Sequence, residues 1–292
     1  MPAHKRQVSA TLLFIPAFVL VVLFWCVPLI PGLSLALRSP GEAGSSTRWP
    51  SLLNYSRLLG EQTFRHNLVL SLIYVVGVVG MSVPASYAAC SLMSRSARGT
   101  NWFRGMLLVP WAIPPVVSAL IFRNLAGAEI APLTKLYRLV SGDPNLLPLQ
   151  DSFWAMLTVI VHSFWRSVPV MTLFLAAGMT TIPKELHEAA QTDGATPLQR
   201  FLHITFPLTR MHLAVGMLLI TAFTLQDAET VYALTGGGPH HGTEVAAVRL
   251  FKEAFDYGQF ATAATIGSFL LAAGLVFMLL YLAAFRRAEV TL

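Results

Sequence analysis

The sequence predicts an all-α membrane protein with six transmembrane helices, and two observations support this fold class. First, 55% of the 292 residues are apolar and only 12% are Asp, Glu, Lys or Arg, which is about half of the roughly 25% usual in soluble domains. Second, the few charges are clustered and leave long uncharged stretches between them. A soluble protein of this size needs a polar surface, so a mean hydropathy of +0.62 indicates that much of the outer surface faces lipid.

A helix needs about 20 mostly apolar residues to cross the hydrocarbon core of a bilayer. Six stretches approach or exceed this length with at most one charged side chain: 7–37, 66–94, 105–122, 152–183, 211–226 and 257–285. The fourth stretch contains one charge, Arg166, and the fifth has only 16 residues. Each stretch is predicted to form one transmembrane helix.

The first stretch follows Lys5 and Arg6, as the apolar core of a secretory signal peptide would. It is longer than the about 7–15 residues of such a core, and no convincing small-residue cleavage site follows it. We therefore expect a retained helix, then a loop rich in glycine and serine and a short surface helix near Trp49. The predicted domains are 1–60, the N-terminal helix with its external loop, and 61–292, the transmembrane core.

The distribution of lysine and arginine predicts that both termini are cytoplasmic. With the N-terminus inside, the 20 basic residues divide into ten in inner segments, nine in outer segments and Arg166 within a span. The inner segments are shorter and their charges adjoin the spans, which is typical of the cytoplasmic side. The net charge of +6 contains no run of five like charges, so we expect contact with anionic lipid and not with nucleic acid.

Three further features concern packing inside the membrane. Cys26 and Cys90 lie within apolar stretches, so we interpret them as small buried side chains and not as a disulfide or zinc ligands. No repeat relates the two halves of the chain, which disfavours an inverted-repeat secondary transporter. Prolines within the stretches, such as Pro84, Pro110 and Pro114, predict kinked helices in a bundle.

Residues 183–207, between the fourth and fifth stretches, have the start and stop signals of two helices. Gly194 suits the left-handed residue that ends a helix. Thr196 is followed three residues later by Gln199, which is the pattern of a capping box, and Pro207 marks the entry to the fifth span. The pattern predicts a rigid projection, which either docks on a partner or is a surface hairpin without one.

This segment resembles the EAA loop of permease subunits from binding-protein-dependent ABC importers. The family pattern is Glu-Ala-Ala, three residues, Gly, nine residues, Ile, any residue, Leu, Pro, and the chain departs from it at Phe206, where the family has Leu. A second segment, 231–239, is similar to the stretch after the fifth helix in sugar permeases of the maltose-transporter type. The tract 49–59 and the prolines of 109–115 are similar to that group as well.

The resemblance implies a five-helix importer permease core preceded by one extra helix, paired with a second, homologous permease. Two ABC ATPase subunits, which use ATP and Mg²⁺, would bind the cytoplasmic face, and an external solute-binding protein would deliver the substrate. The chain itself would then be no enzyme and would hold no cofactor. The residues implied to couple to the ATPase are Glu188, Ala189, Ala190, Asp193, Gly194, Ile204 and Pro207.

Two segments begin like enzyme motifs but lack a residue that the chemistry needs. Residues 237–243 resemble the start of a phosphate-binding loop without its lysine, and residues 187–191 resemble a zinc-protease helix with Gln191 in place of the second histidine. We therefore expect neither activity. His240, His241 and Glu244 could ligate a metal only with help from elsewhere, and we interpret them as part of an exposed polar loop.

Four polar residues at membrane depth are candidates for a substrate pathway: Arg166, Gln226, Asp227 and Glu229. Polar groups are costly in the membrane, and this makes each of them a functional candidate. Arg166 lies near the middle of the fourth stretch, and the other three cluster at the predicted outer end of the fifth. They could line a cavity for a sugar, or Arg166 could pair with Asp227 or Glu229, or contact the partner permease.

The sequence therefore predicts one permease subunit of an ABC importer for a sugar or sugar-like solute, in a bacterial or archaeal plasma membrane. It would form half of an alternating-access pathway. The alternative is an ion-coupled secondary transporter or a channel that needs no ATPase. The EAA loop and the absence of an internal repeat favour the importer.

Overall fold

The computed structural model describes residues 15–16, 18–38, 49–93 and 100–286, and all regular structure in these ranges is helical. Some positions discussed above lie outside the described residues, namely Lys5, Arg6, the glycine- and serine-rich loop at 41–46 and the side chain of Cys26.

We number twelve helices of the described ranges in chain order, apart from the 3-10 helix Pro148–Gln150 and the π-helix Lys252–Asp256. They are α1 (Phe18–Ala36), α2 (Leu53–Gly60), α3 (Gln62–Met93), α4 (Thr100–Ala112), α5 (Pro115–Gly127), α6 (Pro132–Ser141), α7 (Ser152–Thr180), α8 (Lys184–Thr192), α9 (Pro197–Leu225), α10 (Ala228–Thr235), α11 (Ala246–Phe251) and α12 (Phe260–Arg286).

Five of these helices are long and apolar enough to cross a membrane, namely α1, α3, α7, α9 and α12. The third predicted span, 105–122, is wrong as a single helix, because α4 and α5 meet there at an angle of 97°. Pro114 has an extended backbone, with ψ of 140°, since a residue that precedes a proline is disfavoured in the helical region. The number of spans in the described chain is thus five, or six if the bent pair counts as one.

The fifth predicted span also differs from the structure. Helix α9 starts at Pro197 and has 29 residues, so the second helix of the predicted projection and the membrane span are one element. Pro207 does not end it, because the preceding turn, Phe201–Thr205, is a π-helix in which the Phe206 N–H bonds to the Phe201 carbonyl. This change of register accommodates a residue that has no N–H to donate.

The chain divides into two compact units, the first formed by residues 1–62 and 250–269. Within it, Asn54 of α2 donates to the carbonyl oxygens of Ala36 and Arg38, at 3.0 and 2.8 Å. The hydroxyl of Ser268 donates to the Tyr55 hydroxyl at 3.0 Å. These bonds join α1, α2 and the start of α12. The division into 1–60 and 61–292 stays a prediction.

The second unit, residues 63–249 and 270–292, is built around α3, α7 and α9. Cys90 of α3 is buried, as predicted, with a free thiol that donates to the Thr172 carbonyl at 3.5 Å. The Tyr87 hydroxyl lies 2.8 Å from Thr209 Oγ1. Helices α3 and α7 run in the same direction, since Tyr74, Ser86 and Cys90 meet Ser163, Val168 and Thr172 in turn. Helix α9 packs along α7 in the opposite direction, with His212 beside Gly178 and Gly216 beside Met171.

Glycine permits the close approach of α7 and α9. A Cβ atom at Gly178 of α7 would lie 2.7 Å from Cγ of His212 on α9 and 3.0 Å from its Cβ. Because ordinary carbon contacts are longer than this, the imidazole would have to move to admit even a methyl group.

We expect Gly178→Ala to destabilise the protein by about 1–3 kcal/mol, as overpacking does. Gly80→Ala in α3 is the matched control, because a Cβ there meets nothing within 4 Å and gains the same helix propensity. Thermal unfolding of both purified variants in detergent measures the difference. Equal unfolding midpoints would contradict the close packing of α7 on α9.

Candidate functional site

The helical path that starts with α9 is interrupted at Gln226 and Asp227. Helix α9 ends at Leu225 and α10 begins at Ala228. Asp227 Oδ1 accepts a hydrogen bond from the Thr230 backbone N–H at 3.0 Å, which is the bond by which a capping aspartate starts a helix. The interruption is therefore specified locally, because the Asp227 side chain accepts a backbone N–H and starts a new helix.

This break lies well inside the helix bundle. The Tyr74 hydroxyl donates to Asp227 Oδ2 at 2.7 Å and lies 2.5 Å from Ser163 Oγ. Ser163 comes 11 residues after Ser152, the first residue of α7, and this corresponds to about 16 Å along the helix. Tyr74 is fully buried, whereas Asp227 is half-buried and lines a cavity, so these bonds link the interior of the bundle to the cavity wall.

The sequence predicted Gln226, Asp227 and Glu229 at the outer end of the fifth span, and the structure places them directly after Leu225, where α9 ends. Helix α10 packs on α5 and continues beyond these residues. The segment after α10 reaches the start of α7, where Ser152 Oγ donates to the Pro239 carbonyl at 3.3 Å. The depth of these three residues relative to the bilayer stays a prediction.

All four predicted pathway residues, Arg166, Gln226, Asp227 and Glu229, line one cavity of about 370 Å³. Trp111 and Phe223 add aromatic side chains that are 59% and 64% exposed. The remaining polar lining consists of hydroxyl groups, from Ser163, Ser167, Thr224 and Thr230. A cavity with aromatic surfaces and many hydrogen-bonding groups suits a small polar solute. Contact of these residues with a solute stays a prediction.

Arg166 is the fifteenth of the 29 residues of α7 and thus lies at its midpoint. Its Nε atom is buried and has no hydrogen-bond partner among the described residues. No carboxylate oxygen of the described residues lies within 4.0 Å of the Arg166 guanidinium. The pairing of Arg166 with Asp227 or Glu229, one of the alternatives raised by the sequence, is therefore not formed in this structure.

Two groups beside the cavity were missed by sequence reasoning. Tyr74 is separated by 153 residues from its partner Asp227, and the only signal for it was a phenol in the middle of an apolar stretch. His162, one turn before Arg166, is fully buried, and its Nε2 lies 2.9 Å from Ser118 Oγ of α5. Both groups attach a neighbouring helix to the wall of the cavity.

The segment after α10 differs from the exposed polar loop that was predicted. Glu244 is buried, its carbonyl accepts from Asn67 Nδ2 at 2.5 Å, and its Oε2 lies 2.5 Å from His241 Nδ1. His241 itself remains 59% exposed. A Cβ atom at Gly242 would lie 2.8 Å from the Pro239 carbonyl oxygen, so the turn has no room for a side chain.

The predicted projection, α8 with the first turn of α9, has the expected turn chemistry. Gly194 has φ of +79°, and the Ala195 N–H donates to the Ala190 carbonyl at 2.9 Å, which closes the end of α8 as a Schellman motif does. The capping box is present: Thr196 N–H donates to Gln199 Oε1 at 2.8 Å, and Gln199 N–H donates to Thr196 Oγ1 at 3.3 Å.

The projection exposes most of its side chains. Glu188, Ala189, Asp193 and Gly194 are exposed and Ala190 is partly buried, whereas Ile204 and Pro207 lie half-buried within the continuous helix α9. The apolar side chains of Leu186, Leu198 and Leu202 are 44%, 65% and 49% exposed. An ordered surface that combines carboxylates with exposed leucines is suited to binding another protein.

Residues 80–290 match the model of the family described as binding-protein-dependent transport system inner membrane components. The chain belongs to this family. The trehalose/maltose transport system permease protein MalF of Thermococcus litoralis is 27% identical, over 97% of this chain and 96% of MalF. The probable ABC transporter permease protein YurN of Bacillus subtilis is 30% identical, over 98% and 99%. The sn-glycerol-3-phosphate permease UgpA of Agrobacterium fabrum is 27% identical, over 86% and 85%.

Solved structures confirm the predicted fold class for this member of the family. A bacterial ABC transporter involved in the import of the acidic polysaccharide alginate has a chain with a TM-score of 0.75 and 18% identity, covering 98% of this chain and 97% of that one. A bacterial alginate ABC transporter in complex with a pentasaccharide-bound periplasmic protein gives a TM-score of 0.78 at the same identity and coverage. The fold is that of an importer permease, which is a transport protein and not a class of enzyme.

We expect Tyr74→Phe to lower the stability of this permease by about 1.5–3 kcal/mol, because it removes a hydrogen bond from a buried hydroxyl to a carboxylate. Tyr87→Phe in the same helix is the control: it loses a bond to the neutral Thr209 hydroxyl, which contributes about 0.5–1.5 kcal/mol. Unfolding of the two variants in mixed micelles gives the comparison. A loss for Tyr74→Phe no larger than that for Tyr87→Phe would show that Tyr74 does not support Asp227.

Proposed function

We propose that this chain is one permease subunit of an ATP-driven importer and forms half of the pathway for a sugar or sugar-like solute. One observation carries the proposal: a single helix, α9, joins the exposed projection to the polar cavity. Its 29 residues extend over about 43 Å. A movement of the projection is therefore transmitted along one continuous helix to the break at Gln226 and Asp227.

The chemistry of the cavity supports a carbohydrate as the solute. Trp111 and Phe223 supply apolar faces for a sugar ring, and Arg166, Gln226 and Glu229 supply donors and acceptors for its substituents. We assign Asp227 a positioning role, because both of its carboxylate oxygens are already bonded within the chain. The names of MalF, for trehalose and maltose, and UgpA, for sn-glycerol-3-phosphate, support the same class of solute.

The partners follow from family membership and from the exposed projection. A second, homologous permease supplies the other half of the pathway, and an external solute-binding protein supplies the solute. Two ABC ATPase subunits bind ATP and Mg²⁺, and one of them receives the EAA loop at 183–207. The residues of this chain that make that contact are Glu188, Ala189, Ala190, Asp193 and Gly194, while Ile204 and Pro207 secure the loop to α9.

The protein lies in a bacterial or archaeal plasma membrane with both termini and the projection on the cytoplasmic side. The density of basic residues next to the spans supports this orientation. The start of α7 then faces the exterior, and the break at Asp227 lies between the two surfaces. Closure of the ATPases moves α8, α9 transmits the movement, and the cavity becomes accessible from the other side of the membrane.

We expect Glu188→Ala to weaken the bond with a basic ATPase residue by about 1.5–3 kcal/mol, roughly a 10- to 150-fold change in the equilibrium. Insertion and folding should be unaffected, because Glu188 is exposed. The measurement is co-expression with the partners, followed by ATPase co-purification and solute uptake. Glu185→Ala is the control, since it removes an exposed carboxylate from the same short helix.

Gly194→Val should act more broadly than Glu188→Ala, because a β-branched residue resists the φ of +79° found at this turn. It should misdirect α8 as a whole and reduce uptake even where some ATPase remains bound. Normal ATPase retention with full uptake in Glu188→Ala would show that this residue does not contribute to coupling.

A further inference from the structure

Arg166 carries a positive charge that no carboxylate of the described residues balances at close range. Its Nε is buried without a hydrogen-bond partner among the described residues, and no carboxylate oxygen of those residues lies within 4.0 Å of the guanidinium. A guanidinium at the centre of a transmembrane helix is costly unless other groups compensate it. Arg166 is part of the cavity wall, so a group bound in the cavity can supply this compensation.

Neither acidic residue of the cavity forms an ion pair with this cation within 4.0 Å. Asp227 has both carboxylate oxygens engaged, one by the Tyr74 hydroxyl and one by the Thr230 backbone N–H. Its charge also lies at the positive N-terminal end of α10, which stabilises it there. Glu229 is exposed in the first turn of α10 and more than 4.0 Å from the guanidinium. The cavity thus holds a cationic position separate from its acceptor groups.

Arginine is well matched to a planar or tetrahedral anion. Its guanidinium is always charged and offers donors in a fixed fork, which binds a carboxylate or a phosphate through two parallel hydrogen bonds. The Ser167 hydroxyl lies beside it in the same wall and can donate to the same group. A neutral sugar hydroxyl would satisfy one donor and leave the charge unbalanced.

We propose that Arg166 is the anion-recognising residue of the pathway and that the solute is a sugar bearing a carboxylate or phosphate group. This inference rests on the proposed importer function and narrows its substrate class. Gln226 and Glu229 then bind hydroxyls of the same solute, and the aromatic side chains of Trp111 and Phe223 pack on its ring.

The test uses the complete importer, with its second permease, ATPases and solute-binding protein, reconstituted in lipid nanodiscs. The probes are matched pairs that differ in the acidic group: glucuronate and glucose, galacturonate and galactose, sn-glycerol 3-phosphate and glycerol, and an alginate oligosaccharide and maltotriose. The readout is the increase in ATP hydrolysis caused by each probe. The solute that co-purifies with the binding protein is identified by mass spectrometry and added to the set.

We expect one or more acidic probes to stimulate ATP hydrolysis and their neutral partners to fail. Arg166→Gln should reduce that stimulation about tenfold or more, since it removes a charge-assisted bidentate contact, and Arg166→Lys should retain part of it because the charge remains. Arg123→Gln, at an exposed position of α5, is the control and should leave stimulation unchanged. In Arg166→Gln, acidic probes should stimulate ATP hydrolysis as weakly as neutral probes do in the unsubstituted protein.

Stimulation by a neutral probe that equals or exceeds that of its acidic partner would overturn the inference, as would the failure of every acidic probe. A neutral sugar as the co-purified solute would also overturn it, yet would leave the importer function standing. An importer whose ATP hydrolysis responds to no solute, including the co-purified one, would instead contradict the proposed function. Full stimulation in Arg166→Gln would show that another residue recognises the anion.

Discussion

The hydrogen bonds to the two carboxylate oxygens of Asp227 are the interaction on which the site depends. One oxygen starts α10 by accepting the Thr230 N–H, and the other accepts the buried Tyr74 hydroxyl. Inside a bilayer an unsatisfied backbone group costs several kcal/mol, so a helix can be broken there only where side chains replace the lost bonds. Asp227 replaces one such bond, and the Tyr74 hydroxyl donates to the same carboxylate at the wall of the cavity.

The break determines what faces the cavity. If α9 continued without a break, Gln226 and Glu229 would be two more residues of that helix. In the structure they lie at its end and at the start of α10, opposite Arg166 of α7. The close packing of α7 on α9, at Gly178 and again at Gly216 against Met171, keeps these two walls together. The cavity is therefore a consequence of one interrupted helix held against one intact helix.

Features specified by neighbouring residues could be predicted from the sequence. Two such features were predicted and are present in the structure: the capping box of Thr196 and Gln199, and the left-handed Gly194. Each depends on residues within one turn of each other. The bend at Pro114 could not be obtained from the length of uncharged stretches, because such lengths carry no information on backbone direction. The contacts of Tyr74 with Asp227 and of Asn67 with Glu244 join residues 153 and 177 positions apart, and no local pattern reports them.

The central claim is that the cavity beside Asp227 is the transport pathway and that the ATPases change the side from which it is reached. Phe223 lines the cavity and is 64% exposed, so a cysteine at this position reports access to the cavity. The measurement is the rate at which Phe223→Cys reacts with an impermeant thiol reagent. Cys26 and Cys90 are replaced by serine in this variant. The assembled importer is assayed from each face of the membrane, without nucleotide and with ATP bound but not hydrolysed, and Asp143→Cys on the exposed segment after α6 serves as the reference. We expect the face that gives rapid reaction at Phe223 to change between the two nucleotide states while the reference does not. The same rate from the same face in both states would contradict the account.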